Sequence, residues 1–141
     1  MELMKVGNQA IKVVVLLSLS EKYLQKNKCD AKKLTDMVND IADEQLVVDS
    51  LEPEILTSWF RKNNPDCNLK NVLVYPNKAD LEDKKIAKIL GTEDFKADSL
   101  IIQVMLDKRN NVTRCRSVEF EEIAPKLEEL FESNDGVMIV E

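Results

Sequence analysis

The chain has 141 residues, 44% of them hydrophobic, which is enough for one ordinary domain or two small ones with a buried core. Its formal net charge is −6, from 20 basic and 26 acidic residues, so the average surface repels phosphate backbones and anionic membranes, and any nucleic-acid contact must be local. The sequence contains no histidine, which excludes histidine-dependent catalytic triads and zinc sites that combine cysteine with histidine.

The positions of the cysteines and glycines argue against further kinds of site. Cys29, Cys67 and Cys115 are far apart and odd in number, which argues against a disulfide framework and predicts a reducing, cytoplasmic compartment. The three glycines are equally scattered and form no glycine-rich phosphate loop. The most apolar run, residues 13–17, is too short to span a bilayer. We therefore expect no cofactor, no metal site and no membrane association.

The first 66 residues have the patterns of helices. Asn8 can cap the first one, although the β-branched residues 13–15 leave a buried strand as the alternative. Pro53 stands at a first-turn position of the last one. The predicted helices cover about 8–28, 30–41 and 52–63, and residues 44–51 connect the second to the third.

Strand patterns appear after residue 66. The first strand of a hairpin is apolar on both faces, which predicts a central position in a sheet. Asn110 and Asn111 tolerate the positive φ that a tight hairpin turn needs. The predicted elements are a strand over 71–75, a helix over 80–90, a hairpin over 99–118, a helix over 121–132 and a strand over 137–140.

These elements predict an α+β fold. An N-terminal segment of about three helices, residues 1–66, precedes an α/β domain, residues 67–141, with a central β-hairpin; packing of both as a single domain is the alternative. The order β-α-β-β-α-β in the second part is that of a ferredoxin-like unit, which has a mainly antiparallel sheet.

The hairpin carries a cluster of basic residues. Arg114 and Arg116 are two apart on the return strand and share a face, and the turn adds Lys108 and Arg109. One interpretation is protection of an exposed sheet edge, with Glu119, Glu121 and Glu122 as ion-pair partners. The other is a patch that binds a partner. Cys115 lies between the two arginines but points to the opposite face, so we expect an inert, half-buried thiol.

The end of the third predicted helix offers a nucleic-acid alternative. Arg61, Lys62, Asn63 and Asn64 are residue types that reach phosphates or base edges from a recognition helix. The eight-residue connection before that helix is longer than the turn of a compact helix-turn-helix, and it brings several carboxylates near the phosphates.

The sequence therefore favours a non-catalytic intracellular regulator, adaptor or inhibitor that acts through protein–protein contact. A homodimer formed through the sheet edge or the N-terminal helices fits this function. The alternative is a DNA-associated regulator with an N-terminal helix-turn-helix-like reader and a C-terminal α/β dimerisation or effector domain.

Overall fold

The structure, a computed structural model, describes residues 9–27, 38–39, 41–76 and 99–140. Within these ranges the chain forms three helices and five strands. The helices are α1 (Gln9–Asn27), α2 (Pro53–Asn63) and α3 (Pro125–Ser133), and the strands are β1 (Glu44–Leu51), β2 (Lys70–Val74), β3 (Leu100–Leu106), β4 (Val112–Ile123) and β5 (Val137–Val140).

The strands form one mixed sheet in the order β1-β4-β3-β2-β5. β1 runs parallel to β4, and the remaining neighbours are antiparallel. The third position in the order belongs to β3, and all seven of its side chains are buried. The central position predicted for this strand is confirmed, because only a strand covered on both faces and flanked on both sides can bury every residue.

Helices cover both faces of the sheet. On one face α1 packs against β2, β3, β4 and β5, and on the other face α2 and α3 pack against the same four strands and β1. Burial of each large apolar side chain contributes roughly 1.5–3 kcal/mol. On the first face the buried residues include Ile11, Val15, Leu16, Leu19, Val72, Ile102, Val104 and Cys115, and on the second face they include Leu56, Trp59, Phe60, Leu73, Ile101, Met105, Val118, Leu127 and Phe131.

Sequence periodicity located most of the described elements. The predicted helices at 8–28 and 52–63, the hairpin and the last strand are confirmed, and the helical interpretation of residues 13–15 is the correct one. In the hairpin turn, Asn110 has a φ of 62° and Asp107 Oδ1 accepts hydrogen bonds from the backbone N–H groups of Arg109 and Asn111. The turn chemistry expected from the asparagines is therefore present.

The connection predicted at residues 44–51 is wrong, because these residues form β1. They pair in register with β4, from Glu44 beside Arg116 to Leu51 beside Ile123. The sequence segment 1–66 therefore contributes a strand to the same sheet as the rest of the chain. The predicted start of the last helix at residue 121 is also wrong. Pairing with β1 extends β4 to Ile123, and α3 begins only at Pro125, a residue suited to a first turn.

The ferredoxin-like arrangement is not confirmed. That arrangement places a third strand between the two strands of each β-α-β unit, whereas here β2 and β3 pair directly. Of the helix predicted at 30–41, the described residues 38, 39 and 41 are helical. The helix predicted at 80–90 lies outside the described residues. None of the helices in the described ranges combines the length and the apolar character needed to cross a membrane.

Candidate interaction surface

The four basic residues of the hairpin do not form one patch. Lys108 and Arg109 are exposed at the turn, whereas Arg116 is buried and Arg114 is intermediate. Arg116 lies where β4 pairs with β1 on one side and with β3 on the other, so it does not protect an exposed edge, whereas Arg114 lies two residues before the pairing with β1 begins. Arg114 and Arg116 do share a face, as their spacing predicted, but that face is covered by α2.

Arg116 is part of the protein interior. Its guanidinium donates through Nε to Gln103 Oε1 at 2.8 Å and through Nη2 to the carbonyl oxygen of Ile55 at 3.0 Å. Gln103 Nε2 in turn donates to the carbonyl oxygen of Leu56 at 2.9 Å. Burial lowers the pKa of Arg116, and the nearby Glu44 carboxylate opposes that effect. The side chains of Arg116 and Gln103 therefore connect β4 and β3 to the first turn of α2.

Arg114 makes the ion pair that fixes the start of β1. Its Nη2 lies 2.7 Å from Glu44 Oε1, and Trp59 Nε1 donates to Glu44 Oε2 at 2.9 Å. The hydrogen bond from Arg114 lowers the pKa of Glu44 more than partial burial raises it, and the Trp59 bond lowers it further. The expected ion pairs with Glu119, Glu121 and Glu122 are absent from the described residues, because these side chains lie near the other end of β4.

The four residues predicted to bind nucleic acid also differ in exposure. Arg61 and Lys62 are exposed in the last turn of α2. Asn63 Nδ2 donates to the carbonyl oxygen of Trp59, and Asn64 is buried. Asn64 Nδ2 donates to Asn71 Oδ1 and to the carbonyl oxygen of Leu69, both at 2.9 Å. Asn64 therefore holds the turn between α2 and β2. Because β1 precedes α2, the short helix-to-helix turn of the predicted reader is not formed.

The surface that sequence analysis missed is the outer edge of β1. β1 is the first strand of the sheet order, and none of the other described strands lies beyond it. Leu46 and Val48 pack partly against the core under α2, so the alternating side chains of Gln45, Val47 and Asp49 face the side of α1. All three are exposed, and Val47 has 71% of its surface accessible.

A group of carboxylates borders this edge, and we call it the carboxylate cluster. Four of its side chains are exposed and the fifth, Glu119, is half-buried next to Val47 in register. Within the described residues none of them forms an ion pair. The carboxylate cluster consists of Asp49, Glu52, Glu119, Glu121 and Glu122.

The buried thiol of β4 is poorly suited to nucleophilic chemistry. Burial, with a smaller effect of Asp43, raises the pKa of the Cys115 thiol to about 12, so this thiol is protonated and a poor nucleophile. No group of three or more side chains suited to metal binding occurs in the described ranges. Comparison of the chain with protein-family models, with curated proteins and with solved structures finds no match.

Proposed function

We propose that this chain is a non-catalytic regulatory or adaptor protein, and that an extended strand of a protein partner adds to its sheet along the outer edge of β1. The observation that carries the proposal is Val47, an apolar side chain with 71% of its surface exposed on an eight-residue edge strand. An edge strand presents unpaired N–H and carbonyl groups that a second strand can use. Edges that must stay free are usually short, charged or interrupted by proline.

The side chains next to the edge define the partner's chemistry. Cross-strand neighbours interact most strongly when both are branched and apolar, so the partner strand places such a residue opposite Val47. Beyond it, Asp49, Glu119 and Glu121 face the same side as Val47 without an ion-pair partner in the described residues. A lysine or arginine of the partner would be attracted there. The proposed ligand is thus an extended segment with an apolar centre, and cations in it or beside it would strengthen binding.

The proposed absence of catalysis rests on composition and on the chemistry of the buried cysteine. The chain has no histidine, and the Cys115 thiol is buried and protonated. The cytoplasmic location stays a prediction from cysteine usage.

Selection from a library of random peptides tests the proposal, because such a library samples many partner sequences at once. Displayed peptides of about nine residues, long enough to pair with the whole of β1, are selected on the immobilised wild-type protein. We expect enrichment of peptides with alternating apolar residues and at least one cation. Their affinity, measured by fluorescence anisotropy, should fall at least about tenfold for Val47→Lys, because the substitution places a charge at the centre of the edge.

Val14→Lys is the matched control. Val14 is the other large hydrophobic residue exposed in the described ranges, with 36% of its surface accessible, and it lies on α1 two residues from Lys12, whose Nζ donates to the carbonyl oxygen of Asp135 next to β5, the strand at the opposite end of the sheet order. The selected peptides should bind this variant as they bind the wild type. No enrichment, or peptides that bind all three proteins equally, would contradict the proposal.

A further inference from the structure

We infer that the strand that pairs with β1 is β1 of a second copy of this chain, in an antiparallel register centred on Val47. The inference rests on the proposed function and names the partner. An antiparallel pair of edges related by a two-fold axis normal to the sheet joins two five-stranded sheets into one of ten strands. It requires one residue of β1 to lie opposite its own copy.

A centre at Val47 makes β1 complementary to itself. The exposed Val47 side chains meet on the α1 face, and apolar residues also meet on the opposite face, where Leu46 and Val48 border the core. No carboxylate lies directly opposite another. The facing pairs are Glu44 with Ser50, Gln45 with Asp49, Leu46 with Val48, and Val47 with Val47 of the second copy.

The neighbouring registers bring like charges together. Moving the centre one residue toward the start of β1 places Asp43 opposite Asp49 of the second copy. Moving it one residue toward the end places Glu44 opposite Glu52. Directly opposed like charges destabilise a strand pair, so the charges of β1 favour the register centred on Val47.

The charge distribution also favours an antiparallel over a parallel arrangement. The charges at the start of β1 balance, because Arg114 is ion-paired with Glu44, and both Asp43 and Lys22 of α1 lie within electrostatic range of Cys115. The carboxylate cluster lies at the other end. Antiparallel pairing brings this charge-balanced end of each copy beside the carboxylate cluster of the other, whereas parallel pairing would bring the two clusters together.

Sedimentation equilibrium on the full chain tests the second copy as the partner. We expect a monomer–dimer equilibrium at roughly micromolar to tens of micromolar protein. Val47→Lys should weaken dimerisation at least about tenfold, because two lysines would then face each other, and Val14→Lys should leave it unchanged.

A charge cycle tests the register. In the register centred on Val47, Gln45→Asp places a carboxylate opposite Asp49 at two symmetric positions, and we expect about tenfold weaker dimerisation. Adding Asp49→Lys turns both pairs into opposite charges and should restore the wild-type value or exceed it. In the two neighbouring registers residue 45 faces Val47 or Leu51, so Gln45→Asp would meet no carboxylate and the initial loss would not occur. Urea unfolding at a concentration where every variant is monomeric should give the same free energy for all, which shows that the fold is intact.

The outcomes separate this inference from the proposed function. A chain that stays monomeric, or a dimer that Val47→Lys leaves intact, overturns the second copy as the partner. If selected peptides still bind β1 in that case, the proposed function stands without the dimer. If neither peptides nor a second copy bind the edge, both are wrong.

Discussion

The guanidinium carbon of Arg116 lies 5.2 Å from the ring centroid of Trp59. This cation–π contact connects β4 to α2, and the hydrogen bond from Trp59 to Glu44 continues the connection to β1. The strand that carries the proposed contact surface is therefore held at its start by side chains from two other elements. Such support keeps an edge strand in a fixed geometry for a partner.

Arg116→Ala should lower the free energy of unfolding by about 2–4 kcal/mol, since it removes the cation–π contact and leaves Gln103 Oε1 and the carbonyl oxygen of Ile55 without their donor. Urea unfolding followed by the fluorescence of Trp59, the single tryptophan, measures the change. The exposed Arg109 provides the control, because Arg109→Ala should change stability by less than about 0.5 kcal/mol. Equal effects of both substitutions would contradict a structural role specific to Arg116.

Gly136→Ala should destabilise the turn between α3 and β5 by about 2–4 kcal/mol. Gly136 has a φ of 77°, and a Cβ atom there would lie 2.5 Å from the carbonyl oxygen of Tyr75 and 2.9 Å from Lys12 Nζ. The backbone oxygen cannot move aside without disturbing β2. Thermal unfolding compares this variant with Ser133→Ala, a substitution at an exposed site one turn earlier, which should be close to neutral. A neutral Gly136→Ala would show that the turn can rearrange.

Stability should decrease as the pH falls through the titration of Glu44. Its pKa in the folded protein is lowered, first by the hydrogen bond from Arg114, below the value of about 4.3 expected for an unfolded chain. The contribution is therefore complete above that value and disappears as the pH falls through the lower, folded pKa. Urea unfolding between pH 6 and pH 3, roughly the window that linkage defines, should show a steeper loss for the wild type than for Glu44→Gln. Parallel curves would refute the contribution of Glu44.

The two cysteines that the structure describes should differ in reactivity. Cys67 is exposed, whereas Cys115 is buried and has a pKa of about 12, so at pH 8 roughly one Cys115 thiol in ten thousand is ionised. Iodoacetamide at that pH should modify Cys67 in the folded protein and reach Cys115 only after denaturation, with the modified positions identified by peptide mass spectrometry. Rapid alkylation of Cys115 in the native protein would contradict its burial.

Asn64→Ala should lower the free energy of unfolding by about 2–3 kcal/mol, because it removes the bonds to Asn71 and Leu69 in a buried turn. Arg61→Ala should leave stability within about 0.5 kcal/mol of the wild type. Neither substitution should alter any weak binding of duplex DNA or its dependence on salt, measured by electrophoretic mobility shift. A selective loss of DNA affinity in Arg61→Ala would support the alternative of a DNA-binding N-terminal segment.

Elements with strong local periodicity were predictable from the sequence. The apolar repeat of α2 with Pro53 at its start, and the strand β3 with its two apolar faces, can be identified from their own residues. β1 was missed because its stabilising partner, β4, lies more than sixty residues later in the sequence. The alternation of Leu46 and Val48 with Gln45, Val47 and Asp49 was the signal that could have identified it.

The basic residues show the same division between local pattern and tertiary context. The sequence by itself determined that Arg114 and Arg116 share a face of a strand, because side chains alternate along any strand. Only the tertiary structure decided that α2 covers that face and buries Arg116. It also decided that Glu44 of β1 pairs with Arg114, and that β1 rather than the hairpin lies at the edge of the sheet. The physical reason is that periodicity fixes the direction of a side chain relative to its own backbone, whereas burial and charge partners depend on elements distant in the sequence.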